Sequence, residues 1–540
     1  MSPSINPELR SELEKIAESD IENGISNRFI NESDRAKKFS FNINGLFLDF
    51  SKTHISEKLL AAYLKIADQS SFSQKRHALF SGEAINTTEN RSVLHPLLRD
   101  TDNQGIATIL PELLEQAADA KQQLLDQCKS IESLLANRDV PVKDIIHIGI
   151  GGSSLGPQLI FEAIASQQSK TRIHFVGNID AHKLVKVFSE CDPSSTIVVG
   201  VSKTFTTAET LQNIRTISSW YEKHNIENHW QYFYAVTANY DNAIEFGISK
   251  ENVVTFPEWV GGRYSLWSSV SLSAVLLMGI DQFEEFLSGA AILDRHFYQS
   301  DLEENVCFIA AMLDHYYANF LASGSRAVFA YDSRLESLVS YLQQLETESN
   351  GKDRQKNGDP VDQKTSTVVW GGVGTDVQHS VSQMLHQGTS LIPSEFIIVK
   401  EPDHDYQEHH SELLANAVAQ TAALLTGQDL ETVKKIHQPD NLSDLTLKSK
   451  VFAGQKPSST IVLEKLTPSH LGMLLAFYEH RIFCAGVLNN INSYDQMGVE
   501  LGKRLAKQVR PLIDEGVGDD GQSTSLDSST IQLIKLLRDK

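Results

Sequence analysis

The spacing of apolar residues changes twice along the chain. Up to about Arg138 they recur at intervals of three and four, as in LRSELEKIAESDIENG and LPELLEQAADAKQQLLDQCKSIESLLANR, and this part predicts helices with irregular connections. From there short apolar runs alternate with helical segments: Asp144 to Ile150, Arg172 to Val176, Ser195 to Val201, Gln231 to Val236 and Asn252 to Phe256. Continuous runs of that kind are strands of a parallel sheet covered on both faces. After a helical stretch from about Ser265 to Ser323 a second alternation follows, with runs at Arg326 to Tyr331, Ser366 to Trp370, Ser394 to Val399 and Thr460 to Leu463. The pattern predicts an α/β protein with two doubly wound αβα sheets and no sequence repeat. Beyond Pro511, DEGVGDDGQSTSLDSS reads as a polar linker, and TIQLIKLLRDK as a short helix that docks through Ile531, Ile534 and Leu537.

Composition narrows the partners. A chain of 540 residues exceeds what one core usually supports, and 41% apolar residues can fill two or more. The net charge of -21, without a dense Lys/Arg stripe interleaved with aromatics, argues against nucleic acid. Cys128, Cys191, Cys307 and Cys484 are far apart and form no CxxC, and the N-terminus lacks the apolar core of a signal peptide, so a reduced, cytoplasmic protein is expected. The longest apolar candidate for a membrane span, Ser268 to Ile280, is short and interrupted by serines, and no membrane partner is expected.

In open α/β sheets ligands bind beyond the carboxyl ends of the strands, where loops lead into helices. GVSKTFTTAET sits at such a place, and the hydroxyls of Ser202, Thr204, Thr206 and Thr207 with the helix N–H groups suit a phosphate monoester. An ordinary N-cap would also be rich in Ser and Thr. HIGIGGSSLGPQ is neither a dinucleotide fingerprint nor a P-loop; it leaves a backbone open to close approach at Gly151 and Gly152, followed by Ser153, or simply a tight turn. VGGRYSLWSS puts Arg263 at the start of an apolar helix, either in a cleft or at the surface. SYLQQLETESNGK ends a helix at Asn350-Gly351 and puts Gln344 and Glu348 on one face. A carboxylate in the last turn faces the negative end of the helix dipole, which makes it a better base; it would equally serve as a solvated helix residue. VVWGGVGTDVQHSVSQMLHQG is a strand, a glycine turn and a helix with Gln378 and His379 early in it, where a structural histidine is the alternative. In NNINSYDQMGVELGKRLAKQV, Ser493 and Gln496 resemble a capping box, and Gln496, Glu500 and Lys503 would lie along one helix face. His404, His409 and His410 have no standard ligand spacing and H-E-x-x-H is absent, so no metal and no cofactor is expected.

Taken together and in order, these segments resemble the glucose-6-phosphate isomerase (phosphoglucose isomerase) family. The resemblance runs from FSGEAINTTENRSVLHPLLRD through GIGGSSLGP, SKTFTTAET, VGGRYSLWS, ESNGK, GTDVQHSVSQMLHQGT and KLTPSHLGMLLAFYEH to INSYDQMGVELGK. It implies two sugar-isomerase-type αβα sandwiches, with an N-terminal helical segment (1–115) on the large domain, a smaller sandwich (116–285), a larger one (286–510) and a C-terminal helical arm (511–540). It implies interconversion of glucose 6-phosphate and fructose 6-phosphate without a metal. Glu348 would be the base that moves the proton and Arg263 would stabilise the enediolate, while His379 and Lys503 would assist ring opening. Gly152, Ser153, Ser202, Lys203, Thr204, Thr207, Gln344 and Gln496 would hold the sugar phosphate, with Glu209 near them. The implied assembly is a homodimer with His379 contributed across the interface.

Two loops depart from the family pattern. Ser154 stands where GGSDLGP commonly has Asp, and GGVGTDVQH stands for GEPGTNGQH, with the same nine residues from Gly371 to His379. Two other classes fit the sequence less well than an isomerase. A sugar-phosphate-binding regulator of this fold would not need Glu348, His379 and Lys503 together. An amidotransferase making glucosamine 6-phosphate would need an N-terminal nucleophilic Cys, but residue 2 is Ser.

Overall fold

Each central strand feeds two cores. In β3 (Asp144–Ile148), all of it buried, Ile145 packs into one hydrophobic cluster while Ile146 and Ile148 pack into another on the opposite face. In β8 (Ser325–Tyr331), Val328 and Ala330 face the first cluster, and Ala327, Phe329 and Tyr331 face a third. Side chains alternate across a strand, so a sheet covered on both sides needs apolar residues at successive positions. That requirement produced the runs read from the sequence.

The computed structural model describes residues 5–100, 106–136, 140–166, 169–440, 442–515 and 526–538. Residues 1–494 form one compact unit and 495–540 a second. The first unit holds two sheets. One is wholly parallel, in the order β4-β3-β5-β6-β7, with β4 Arg172–Val176, β5 Thr196–Val201, β6 Phe233–Thr237 and β7 Val253–Thr255. The other has the order β1-β2-β11-β10-β8-β9, with β9 Val368–Val373, β10 Ser394–Glu401 and β11 Ser458–Lys465 parallel to β8. The shared core between the sheets is built largely from helices Ile280–Gln299, Val306–Asn319 and Pro468–Leu488, which pack on one another.

Three elements differ from the sequence reading. The N-terminal region is not all helix: β1 (Ser40–Ile43) and β2 (Leu46–Asp49) form a hairpin that extends the larger sheet antiparallel to β11. Its turn is Asn44-Gly45, both at positive φ, the strongest short-range hairpin signal a sequence carries. Helix Pro468–Leu488 is longer than Ser268 to Ile280 and meets the length and composition of a membrane span; 94% of that stretch is buried in the core. In the second unit the helix runs from Glu500 to Glu515 with Pro511 inside it, past the expected boundary, and most of the polar linker lies outside the described residues. Helix Ser528–Arg538 packs on it and buries Ile534.

Candidate active site

The strand order of the smaller sheet places the crevice. The chain leaves β3 for β4 on one side and returns to β5 on the other, so the loops after β3 and β5 part company at the sheet's switch point. These loops are GIGGSSLG and SKTFTT, the two picked out by their glycine and hydroxyl content.

The hydroxyl-rich loop is fixed from outside. Ser202 N–H donates to the Val236 carbonyl, and Ala238 N–H and the Asn242 side chain donate to the carbonyls of Lys203 and Thr204. Phe205, at φ 50°, buries its ring against Phe246 and leaves Thr204 and Thr206 exposed with their hydroxyls 2.7 Å apart. Thr207 occupies the N-cap position of helix Ala208–Lys223, yet its hydroxyl makes no capping bond and lies 3.0 Å from that of Ser202. An ordinary cap would close the helix N–H groups; here the hydroxyls and those N–H groups are arrayed together. Glu209 stands half-buried in the first turn. The Lys203 side chain is turned elsewhere. Its ammonium donates to the carbonyls of Glu258 at 2.7 Å and Val260 at 2.8 Å, tying this loop to the segment that carries Arg263, and burial lowers its pKa to about 8.

The glycine loop lies against the same segment. A Cβ on Gly152 would stand 2.2 Å from the Gly262 carbonyl oxygen, and one on Gly151, at φ 58°, would stand 2.8 Å from Gln344 Nε2. The backbone contact at Gly152 and the positive φ at Gly151 call for glycine, whereas the amide end of Gln344 could move aside. Ser153 is half-buried, and its carbonyl accepts from His147 Nε2 at 2.7 Å. His147 Nδ1 lies 2.8 Å from the Ser273 hydroxyl, which donates to it, and burial pushes the imidazole down to about 4, so it stays neutral in this tautomer.

Glu348 and Arg263 meet at the far wall. Glu348 lies in helix Leu338–Asn350, where Gln344 one turn earlier donates to its Oε2 at 2.9 Å. Arg263 Nη1 is 3.9 Å from the same oxygen, with the Arg263 side chain 2% exposed and that of Glu348 19%. A half-open carboxylate beside a buried, fixed cation is an arrangement for moving a proton next to developing negative charge.

Other expected residues are placed differently. His379 is exposed as the second residue of helix Gln378–Gln387 and shares no hydrogen bond or ion pair with Glu348 or Arg263 among the described residues. Gly371 and the variant residues Gly372 and Val373 extend β9, so the turn proper is Gly374 to Val377. Gln496 and Lys503 belong to the second unit. Gln496 precedes a 3-10 turn, Met497–Val499, and the helix begins only at Glu500, so Gln496 is not on its face; Gly498 disfavours regular helix there. Lys503 is exposed and pairs with Glu500 at 3.1 Å. The Ser493 hydroxyl donates to Asn350 Oδ1 at 2.6 Å instead of closing a capping box.

A family model for phosphoglucose isomerase matches residues 49–534. The chain belongs to the phosphoglucose isomerase family. A glucose-6-phosphate isomerase of Rhizorhabdus wittichii is 43% identical over 482 residues, 89% of this chain and 91% of that protein. Glucose-6-phosphate isomerase 1 of Chromohalobacter salexigens is 38% identical over 536 residues, 98% of this chain and 94% of that protein. The crystal structure of a glucose-6-phosphate isomerase from Chlamydia trachomatis superposes with a TM-score of 0.85 at 30% identity, over 99% of this chain and 100% of that one.

In this phosphoglucose isomerase fold a shell behind Arg263 escaped the sequence reading. Arg263 Nε donates to Ser349 Oγ at 2.6 Å and Nη2 to the Ser493 carbonyl at 2.6 Å, while Tyr264 OH lies 2.8 Å from Ser349 Oγ. Asn492 donates to Asn86 Oδ1 and Thr88 Oγ1, both at 2.9 Å, which joins the segment bearing Ser493 to the early TTENR stretch. Ser349 beside Glu348 in ESNGK was the one local sign of this shell.

Proposed function

We propose that this chain interconverts glucose 6-phosphate and fructose 6-phosphate, an aldose–ketose isomerisation through a cis-enediolate in glycolysis and gluconeogenesis. The observation that carries this reading is the Glu348–Arg263 pair facing the two switch-point loops in a chain of the phosphoglucose isomerase family. The phosphate sits among Ser202, Thr204, Thr207 and the N–H groups of the following helix, with Lys203 contributing through its backbone and Glu209 close by. The sugar extends past Gly152 and Ser153 towards Gln344.

Glu348 takes the C2 proton of the open-chain aldose, and the C–H electron pair forms the C1–C2 double bond as the carbonyl electrons move to O1. Arg263 faces the oxygen that gains charge. Once the hydroxyl protons have exchanged between O1 and O2, Glu348 returns its proton to C1 and the ketose forms. Gln344 orients the carboxylate throughout. His379 and Lys503 assist ring opening and Gln496 lines the sugar site. The assembly is a homodimer in which His379 reaches the partner's site; its exposure at a helix start supports this. The division into 1–115, 116–285, 286–510 and 511–540 and a cytoplasmic location belong to the same proposal, the latter supported by four free thiols.

The test is a coupled assay of the purified chain with fructose 6-phosphate, run beside Glu348→Gln. The parent should turn over and the variant should bind substrate yet lose most turnover, because an amide keeps the shape but takes up no carbon-bound proton. An inactive parent overturns the function, and a variant within a few-fold of the parent overturns the base.

A further inference from the structure

At the opposite ends of the strands that bear the crevice, three side chains of different chemistry converge. Asp144 opens β3, His174 lies in β4, and Cys191 follows helix His182–Glu190. His174 Nε2 is 2.9 Å from Asp144 Oδ1 and 3.3 Å from Cys191 Sγ, and the three atoms all lie within 4.8 Å of one another. We propose that Asp144, His174 and Cys191 form a binding site for a thiophilic divalent cation, Zn²⁺ by the chemistry of its donors.

The spacing suits that ion. Tetrahedral zinc with nitrogen and oxygen at about 2.0–2.2 Å and sulfur at about 2.3 Å holds its ligands roughly 3.3–3.6 Å apart, so the side chains need only small rotations to take it up. A thiolate and an imidazole exclude the hard ions Mg²⁺ and Ca²⁺. The surroundings supply what such ligands require around them. Glu190 Oε2 stands 3.8 Å from His174 Nδ1, placed to accept its proton when Nε2 turns to the metal. Arg172 Nη2 donates to Asp144 Oδ2 at 2.9 Å and holds that oxygen, while its Nε, 2.8 Å from Oδ1, belongs to a side chain 54% exposed that can yield the nearer oxygen. With the thiol ionised, Cys191, Asp144 and Glu190 carry three negative charges against the dication, the Arg172 guanidinium and the Lys186 ammonium, which lies 3.9 Å from Glu190 Oε1. An open cleft of about 250 Å³, lined in part by His174 and Glu190, gives access.

Binding displaces the proton of the Cys191 thiol to solvent, and His174 binds through Nε2 with its ring proton on Nδ1. The site clamps β3, β4 and the chain entering β5 at their N-terminal ends, away from the crevice, and leaves isomerisation untouched.

The test uses the intact chain, stripped with a chelator and titrated with Zn²⁺ against a chromophoric competitor, and separately with Co²⁺ read by thiolate-to-cobalt absorption. The expected result is one ion per chain and a thiolate band. Cys191→Ser should remove the band and on the order of 100-fold or more of the affinity, and Glu190→Gln about 10–100-fold. Alkylation mapped residue by residue gives a readout that needs no variant: Zn²⁺ should protect Cys191. Absence of stoichiometric binding, equal affinity in Cys191→Ser, or unprotected Cys191 at saturating Zn²⁺ each overturns the site.

Discussion

Ser349→Ala tests whether the cation of the site is held from behind. Ser349 is fully buried, and its hydroxyl takes the 2.6 Å hydrogen bond from Arg263 Nε. Alanine deletes the acceptor where the arginine is 2% exposed, so water does not readily replace it. Leaving a charged donor unpaired in such a place costs about 1.5–3 kcal/mol. The guanidinium can lessen that cost by pivoting about its bond to the Ser493 carbonyl, which shifts Nη1 from its position 3.9 Å from Glu348 Oε2. Misplacing the charge matters most where the oxyanion develops. The loss should therefore fall on kcat, by about 10- to 160-fold, with KM for fructose 6-phosphate changed little. The assay is the coupled isomerase reaction at saturating substrate, with near-ultraviolet circular dichroism to establish that the variant is folded. Arg263→Lys and the double variant complete a cycle: if Ser349 acts through Arg263, its removal adds little once the guanidinium is gone. A folded Ser349→Ala protein within threefold of the parent kcat, or losses that simply multiply in the double variant, would refute the reasoning.

Thr204→Val and Thr207→Val should each raise the KM for fructose 6-phosphate, by about 1.5–3 kcal/mol of lost hydrogen bonding to a charged group; an unchanged KM in both would return SKTFTT to the role of a helix cap. In a mixed dimer of Glu348→Gln and His379→Ala chains, about half the parent activity should return, because one shared site carries both lesions and the other neither; activity no higher than the mean of the two mutant homodimers would exclude a shared site. Burial holds His147 and His315 at about 4, below the roughly 6.5 they recover on unfolding, so the unfolded chain binds more protons between those values and stability is lost as pH falls through that window. Each should cost about 2 kcal/mol between pH 7 and pH 5, and a melting temperature flat across that range would show that these imidazoles are not neutral in the fold.

What could be read from the chain in advance was what lies close together in it. The parallel strands were legible because burial on both faces makes Ile145, Ile146 and Ile148 apolar in succession. Gln344 and Glu348 were legible as a pair because one helical turn places i and i+4 side by side. The hairpin Ser40 to Asp49 was overlooked although Asn44-Gly45 announces it, since four-residue strands offer little alternation to weigh against the helical pattern on either side. The shell behind Arg263 had no such announcement: its acceptors lie 86 and 230 residues away, and one is a backbone carbonyl, which leaves no trace in residue identity. Lys203 shows the same limit from the other side. A lysine among phosphate-binding hydroxyls invites the reading of a charge offered to the ligand, and only the fold shows that two carbonyls 55 and 57 residues on already hold it. Local chemistry therefore points out which loops line the crevice, while the side chains that fix those loops in register are chosen by contacts that exist only after the chain has closed. Variants at Ser349 and Lys203 accordingly test the folded site, whereas variants at Glu348 and Thr207 test the reaction itself.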